Sequence, residues 1–342
     1  MWLTYYIEEK LLADNSRLVK IIERQKRAHV QQSNKLNEIR DNIDVLDRKC
    51  LELSKLIESA KHCIVYTGAG ISTSADIPDY RGSGGVWTAI SKGNQIQKCN
   101  LVTAVPTVGH MVLSALIKSG IIKYVISQNC DGLHIRSGIS ESNISEIHGN
   151  MYLENCNQGH KNYRLVWFTA LSPHKYYFLR LFDVTEKTNV RRHKTGRNCP
   201  RCDEELFDSI VHFGELNHFS DPYRWIQADE NVQNADLIVT IGTSLKVLKG
   251  YKNLWPKTAK LAIVNLQWTP KDRQSNLIVN GESDYVMNYL AEYFKIKPIA
   301  DFQCGTDPLL TLAQPLRIDD VKPDTPVVDS VNFSPDFSGT RA

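Results

Sequence analysis

The sequence predicts an α/β fold: a doubly wound parallel sheet with a small inserted metal-binding module and an N-terminal helical extension. Three observations predict it. Short apolar runs end in glycine turns or polar residues, as in Cys63-Ile-Val-Tyr66 before Gly68-Ala-Gly70 and Tyr124-Val-Ile-Ser127 before Gln128-Asn129. That is the pattern of buried parallel strands whose C-terminal ends face a ligand crevice, a Rossmann-like arrangement. Between residues 150 and 205 apolar periodicity lapses, and Arg, Lys, Asn and Cys gather around Cys199-Pro-Arg-Cys202, half of a structural zinc site. Up to residue 57 helix breakers are absent, and Ile39, Ile43, Leu46, Leu53, Leu56 and Ile57 recur at roughly helical spacing.

At 342 residues the chain can hold one large domain and a small one. The formal net charge of +3 is too small to argue for a nucleic-acid partner globally; only local clusters can. Met1 to Glu9 lacks the apolar core of a secretory signal, and no window reaches the length of a membrane span. The eight cysteines show no dense, regular spacing, so metal binding is expected rather than disulfides, in a reducing compartment.

Along the chain, Arg17, Lys20, Arg24, Lys26, Arg27 and Lys35 stand against the single acid Glu23. They form either a solvated helical face or an arm that touches nucleic acid. From Cys63 the pattern is strand, turn, helix, and the backbone N–H groups of Gly68 to Gly70 can approach a pyrophosphate. The dehydrogenase fingerprint is incomplete: Thr73 stands where the third glycine would be, and no acid follows about twenty positions on. Hydride transfer is therefore disfavoured. Ile77-Pro-Asp-Tyr-Arg-Gly82 and Gly84-Gly-Val-Trp87 suggest a mobile lid.

Pro106 opens a helix that continues from His110 to Lys118, with His110 expected to be structural or exposed. The strand at Tyr124 delivers Gln128, Asn129 and Asp131, and His134 is expected at the rim of the site. His148 follows a third apolar stretch, Ile144-Ser-Glu-Ile147. Val211-His-Phe-Gly-Glu215 suits backbone pairing with a peptide. A helix from Pro222 to Asn234 and strands Asp236–Ile241 and Leu261–Val264 follow. The strands end in Gly242-Thr-Ser244 and Asn265-Leu-Gln267, and a last helix spans Asp284 to Phe294. Residues 298–342 are Pro-, Asp- and Ser-rich and are expected to be a disordered tail.

Gly68-Ala-Gly-Ile-Ser72, Ile77-Pro-Asp-Tyr-Arg-Gly82, Gln128-Asn-Cys-Asp131 and His148-Gly149 resemble the signature blocks of the sirtuins, NAD-dependent protein-lysine deacylases. Phe182-Asp-Val-Thr-Glu186, Thr195-Gly-Arg197, Val211-His-Phe-Gly-Glu215 and Ser244-Leu-Lys-Val-Leu248 resemble the class IV branch in particular. The likeness runs from about Leu53 to about Leu316, in the family's order. It implies an NAD-binding domain over 58–149 and 206–297, a zinc module over 150–205 and a helical extension over 1–57.

The resemblance implies His148 as the catalytic base. It implies NAD contacts from Gly68, Ala69, Gly70, Ile71, Ile77, Asp79, Arg81, Trp87, Gln128, Asn129 and Asp131, and from Gly242, Thr243, Ser244, Asn265, Leu266, Gln267 and Ser283. Val211, Phe213 and Gly214 would hold the acylated lysine peptide, and Cys156, Cys199 and Cys202 would bind Zn2+. The second cysteine of the first pair is replaced by Gly159. Residues 159–172 match nothing in the family, being either an insertion in which His160 is the fourth ligand or a sequence artefact. Implied partners are histones and other chromatin proteins, with nucleic-acid contact through the basic arm, no membrane, and a nuclear address. The competing functions are a catalytically impaired NAD-binding chromatin scaffold and a mono-ADP-ribosyltransferase.

Overall fold

A computed structural model describes residues 37–80, 85–86, 89, 101, 103–156, 176–212, 215, 223–296 and 301–313. The basic arm, Arg81, Trp87, Phe213, Gly214 and residues 159–172 with His160 lie outside the described residues.

Helix α1 (Ile43–Ser59) is capped by the Asn42 side chain, which accepts from Val45 N. Strand β1 (Cys63–Thr67) follows, then helix α2 (Val108–Lys118), β2 (Tyr124–Ser127), the short helix α3 (Leu133–Arg136) and β3 (Ile144–Glu146). A second group comprises β4 (Leu153–Cys156), β5 (Tyr176–Leu179), β6 (Lys194–Asn198) and β7 (Glu205–Asp208). The chain then returns through α4 (Trp225–Asn234), β8 (Leu237–Ile241), β9 (Lys260–Val264), β10 (Leu277–Val279), α5 (Ser283–Tyr293) and α6 (Pro308–Leu312).

The larger sheet runs β10-β9-β8-β1-β2-β3 with every pairing parallel. Its central strands are apolar at successive positions because helices cover both faces. Cys63 and Val65 point into one core, with Leu53 of α1, Leu113 of α2 and Met287 of α5. Ile64 and Tyr66 point into the other, with Ala228 and Val232 of α4. After β1 the chain moves outward to β2 and β3, and it later returns on the other side through β8. That reversal of strand order places a crevice at the C-terminal ends of β1 and β8.

The smaller sheet, β5-β4-β7-β6, is antiparallel. It is tied together by Glu154, whose carboxylate accepts from Arg180 Nε at 2.8 Å and also from Arg197 Nε.

Three expectations need correction. From Ile43 the N-terminal helix is no appendage: Leu46, Cys50, Leu53 and Ile57 are buried in the main core, while Ile39 and Ile43 are exposed. Residues 301–313, expected within the tail, are folded. Asp307 caps α6 and accepts from Arg136 Nε at 2.7 Å, and Leu309 is buried. A polar composition hid a segment anchored by the Arg136–Asp307 ion pair and the buried Leu309. The small sheet also includes Glu205–Asp208, so the module extends past the expected boundary at 205.

Candidate active site

The turn after β1 is built on glycine because two backbones meet there. A Cβ at Gly70 would lie 2.7 Å from the Gly242 Cα, and one at Gly68 would lie 2.6 Å from the Thr243 Cβ. Gly242 itself has φ +60°. Gly70 N donates to Gly242 O at 2.8 Å, so the β1 and β8 turns are joined.

On this floor lie two adjoining cavities. One, of about 310 Å³, is bordered by Gly68, Gln128, Asn129, His148, Thr243 and Tyr251, among others. The second, of about 380 Å³, is bordered by Ile77, Leu266 and Ser283. Gly70, Asp79, Gly242, Asn265 and Gln267 border both, so the cavities form one extended groove across the strand ends. An elongated ligand with a phosphate-bearing middle fits this shape: bare backbone at the centre and polar side chains at both ends. Ser283 opens α5, and its Oγ reaches Gly70 O at 3.3 Å.

His148 sits one residue past Ile147, whose N–H donates to Ser127 O and so extends the β2–β3 pairing. Its Nδ1 is 3.2 Å from the carbonyl oxygen of Gln128. A carbonyl only accepts, so Nδ1 carries the proton and Nε2 is left with a lone pair. Burial lowers the His148 pKa, and the Gln128 contact offsets this in part. The His148 carbonyl is fixed by Val211 N at 2.9 Å. Gly149 follows at φ +88°, where a Cβ would fall 2.0 Å from Ser209 O.

The amide of Asn129 donates to Gly68 O and to Ser72 Oγ, both at 3.1 Å. Ser72 Oγ in turn donates to Asp131 Oδ2 at 2.7 Å. Gln128 Nε2 donates to Thr243 Oγ1 at 2.7 Å, again linking the β2 and β8 ends.

Most expected cofactor residues therefore border the groove, and Val211 does too. Ile71 and Asp131 do not. Ile71 is fully buried in the apolar core. Asp131 spends its carboxylate on Ser72 and on Leu133 N at 3.0 Å, and burial raises its pKa. It braces the wall behind the groove. His134 is not at the rim: it is buried, with Nε2 2.8 Å from Thr67 Oγ1 and its ring 4.7 Å from that of His110. Desolvation lowers its pKa to about 3 and that of His110 well below the ordinary value, so both stay neutral. Tyr251 went unnoticed in the sequence, where nothing local marks it, and Ser72, inside the Gly68-Ala-Gly-Ile-Ser72 block, was given no role there.

In the smaller sheet, the sulfurs of Cys156, Cys199 and Cys202 lie within 4.8 Å of one another, with Cys156 and Cys202 at 3.5 Å. Three converging thiols on a β-turn scaffold match the donor set of a structural zinc.

A family model described as the Sir2 family matches residues 93–249. The chain is 43% identical over 316 residues to the NAD-dependent protein deacetylase sirtuin-7 of Homo sapiens, covering 91% of this chain and 76% of that protein. It is 33% identical over 273 residues to the NAD-dependent protein deacetylase Sirt6 of Drosophila melanogaster, covering 78% and 82%. Among solved structures, Sir2Tm bound to a propionylated peptide matches with a TM-score of 0.50 and 25% identity, covering 73% of this chain and 100% of that one.

Proposed function

Since the chain belongs to the Sir2 family, we propose that it is an NAD-dependent protein-lysine deacetylase of the sirtuin-7 type that acts on histones and other chromatin proteins in the nucleus. NAD, when bound, supplies the ADP-ribose that accepts the acyl group and releases nicotinamide. The observation that carries the reading is the lone pair on His148 Nε2, in a groove floored by Gly68, Gly70 and Gly242.

His148 Nε2 would take the proton of a ribose hydroxyl of the bound cofactor. An imidazole whose pKa is lowered by burial is neutral at physiological pH and thus ready to accept it. Gln128 orients the ring, and Asn129 positions the sugar. Gly68, Ala69 and Gly70 hold the pyrophosphate through backbone N–H groups. Thr243, Ser244, Asn265, Leu266, Gln267 and Ser283 hold the adenosine end, and Ile77 and Asp79 flank the middle. The acylated peptide pairs with the extended backbone at Val211, whose N–H is anchored to the His148 carbonyl. Cys156, Cys199 and Cys202 hold a structural zinc that keeps the smaller sheet registered and takes no part in proton transfer. The basic arm from Arg17 to Lys35 contacts chromatin.

The test is mass spectrometry of an acetyl-lysine histone peptide incubated with the protein and NAD. Loss of the acetyl mass is expected, with stoichiometric nicotinamide release that requires the acylated peptide; His148→Tyr should abolish both. No acetyl loss with the unaltered chain overturns the reading. Labelled ADP-ribose on protein would replace it with ADP-ribosyl transfer.

A further inference from the structure

Away from the cysteines, a second group of metal-type donors is assembled where the smaller sheet meets the loop that carries Val211. His193, Asp208 and His212 each bring one ligand atom to within 4.8 Å of the others. The β6–β7 pairing sets the geometry: Asp208 N donates to His193 O at 2.8 Å, which places the two side chains together. His193 Nδ1 is 2.8 Å from Asp208 Oδ1, and its Nε2 is 3.1 Å from Glu215 Oε1. The His193 and His212 ring centroids are 5.6 Å apart.

Two features point to a cation. Asp208 is wholly buried, and its Oδ2 has no hydrogen-bond partner among the described residues. A buried carboxylate oxygen left without a donor is costly, because it has lost its water and gained nothing in exchange. Two carboxylates, those of Asp208 and Glu215, also converge on the two nitrogens of His193, with the His212 ring beside them.

We propose that His193, Asp208 and His212 form a second metal site, for a divalent transition ion such as Zn2+, with Glu215 holding the far nitrogen of His193. Imidazole and carboxylate donors in a compact set select zinc, cobalt or nickel over magnesium or calcium, which take all-oxygen shells. One nitrogen of His193 faces the ion, and the other keeps a carboxylate that fixes the ring. His212 and Glu215 also border the cavity that contains His148, so the ion has an entry path from the groove. The ion would tie β6 and β7 to the loop leading from His148.

Equilibrium dialysis of the full chain against micromolar ZnCl2, followed by metal analysis, tests this. The expected content is one zinc per chain more in the unaltered protein than in the His193→Ala/His212→Ala variant. Cobalt loading should give visible bands of a nitrogen- and oxygen-ligated ion that the variant lacks, beside the near-ultraviolet thiolate band that both share. Asp208→Asn, the milder change, should weaken the extra ion at least tenfold with the cooperative thermal melt retained; it decides the matter if the double variant fails to fold. Equal zinc content in all three chains, or a cobalt spectrum of thiolate ligation alone in the unaltered protein, overturns the proposal.

Discussion

His148 Nδ1 lies 3.2 Å from the Gln128 carbonyl oxygen, and this contact decides which nitrogen of the ring is basic. Burial opposes the imidazolium, so the ring stays neutral below the pH at which a free histidine would charge. The acid limb of kcat/KM for the acetylated peptide should therefore have its midpoint below about 6.5, falling tenfold per pH unit beyond it. A midpoint above that value would contradict the assigned base. His148→Ala should lower kcat by about 10²- to 10⁴-fold while leaving NAD binding measurable by calorimetry.

The close approach of Gly70 to Gly242 makes a second expectation. A methyl at position 70 would lie 2.7 Å from backbone Cα, and no flexible side chain is there to give way. Gly70→Ala should push the β1 and β8 turns apart, at a cost of about 1–3 kcal/mol. NAD affinity should fall with it, because the two turns form one floor. Calorimetric titration of NAD, beside the thermal melt of the same variant, separates the two effects.

Gly149→Ala should be worse. Its φ of +88° is costly for any residue with a side chain, and the added carbon would sit 2.0 Å from Ser209 O. The variant must separate the His148–Asn150 turn from Ser209, whose Oγ accepts from Asn150 N at 3.0 Å. A loss of more than about 2 kcal/mol in denaturant titration is expected. Val211 should move with it, so the peptide KM should rise.

Acid should act through the buried histidines. The folded pKa of His134, about 3, is lowered by desolvation far below that of the unfolded chain. Its contribution to stability is complete above about pH 6.5 and is lost as the pH falls toward 3, because the unfolded state then binds the extra proton. Between pH 7.5 and 5 this amounts to about 2 kcal/mol for His134. His134→Gln should flatten that slope in urea titrations at the two pH values. An unchanged slope would mean that the ring is charged in the folded protein.

What could be read from the sequence follows from how local each cause is. β1 and β8 were legible because burial on both faces demands an unbroken apolar run. Gly68, Gly70, Asn129 and His148 were legible because each ends such a run. Ile71 and Asp131 sit in the same motifs, yet the turn aims them inward, and a motif does not encode aim. Tyr251 and Ser72 border or brace the groove only through contacts with distant segments. The His193–Asp208 contact depends on β6–β7 pairing, which the irregular composition of that region concealed. α6 escaped notice because it is held by the Arg136–Asp307 ion pair rather than by a periodic apolar face.

Glu154 is the last case, and the most demanding of the smaller sheet. It is fully buried, and so are Arg180 and Arg197, which share its carboxylate. The guanidiniums also rest on aromatic rings, Arg180 over Phe178 at 5.3 Å and Arg197 over Phe182 at 4.9 Å. Removing this acid takes a shared carboxylate from two buried guanidiniums. Glu154→Ala should cost about 3–5 kcal/mol, more than either arginine variant can recover by itself. Arg180→Met in the same chain should restore part of the loss, because it removes one of the two buried charges and roughly keeps the volume. Since β4 also carries Cys156, zinc retention should fall in Glu154→Ala and recover in the double variant. Metal analysis after gel filtration reads this directly. Equal zinc content in the unaltered chain and Glu154→Ala would show that the triad and the cysteine cluster are energetically separate.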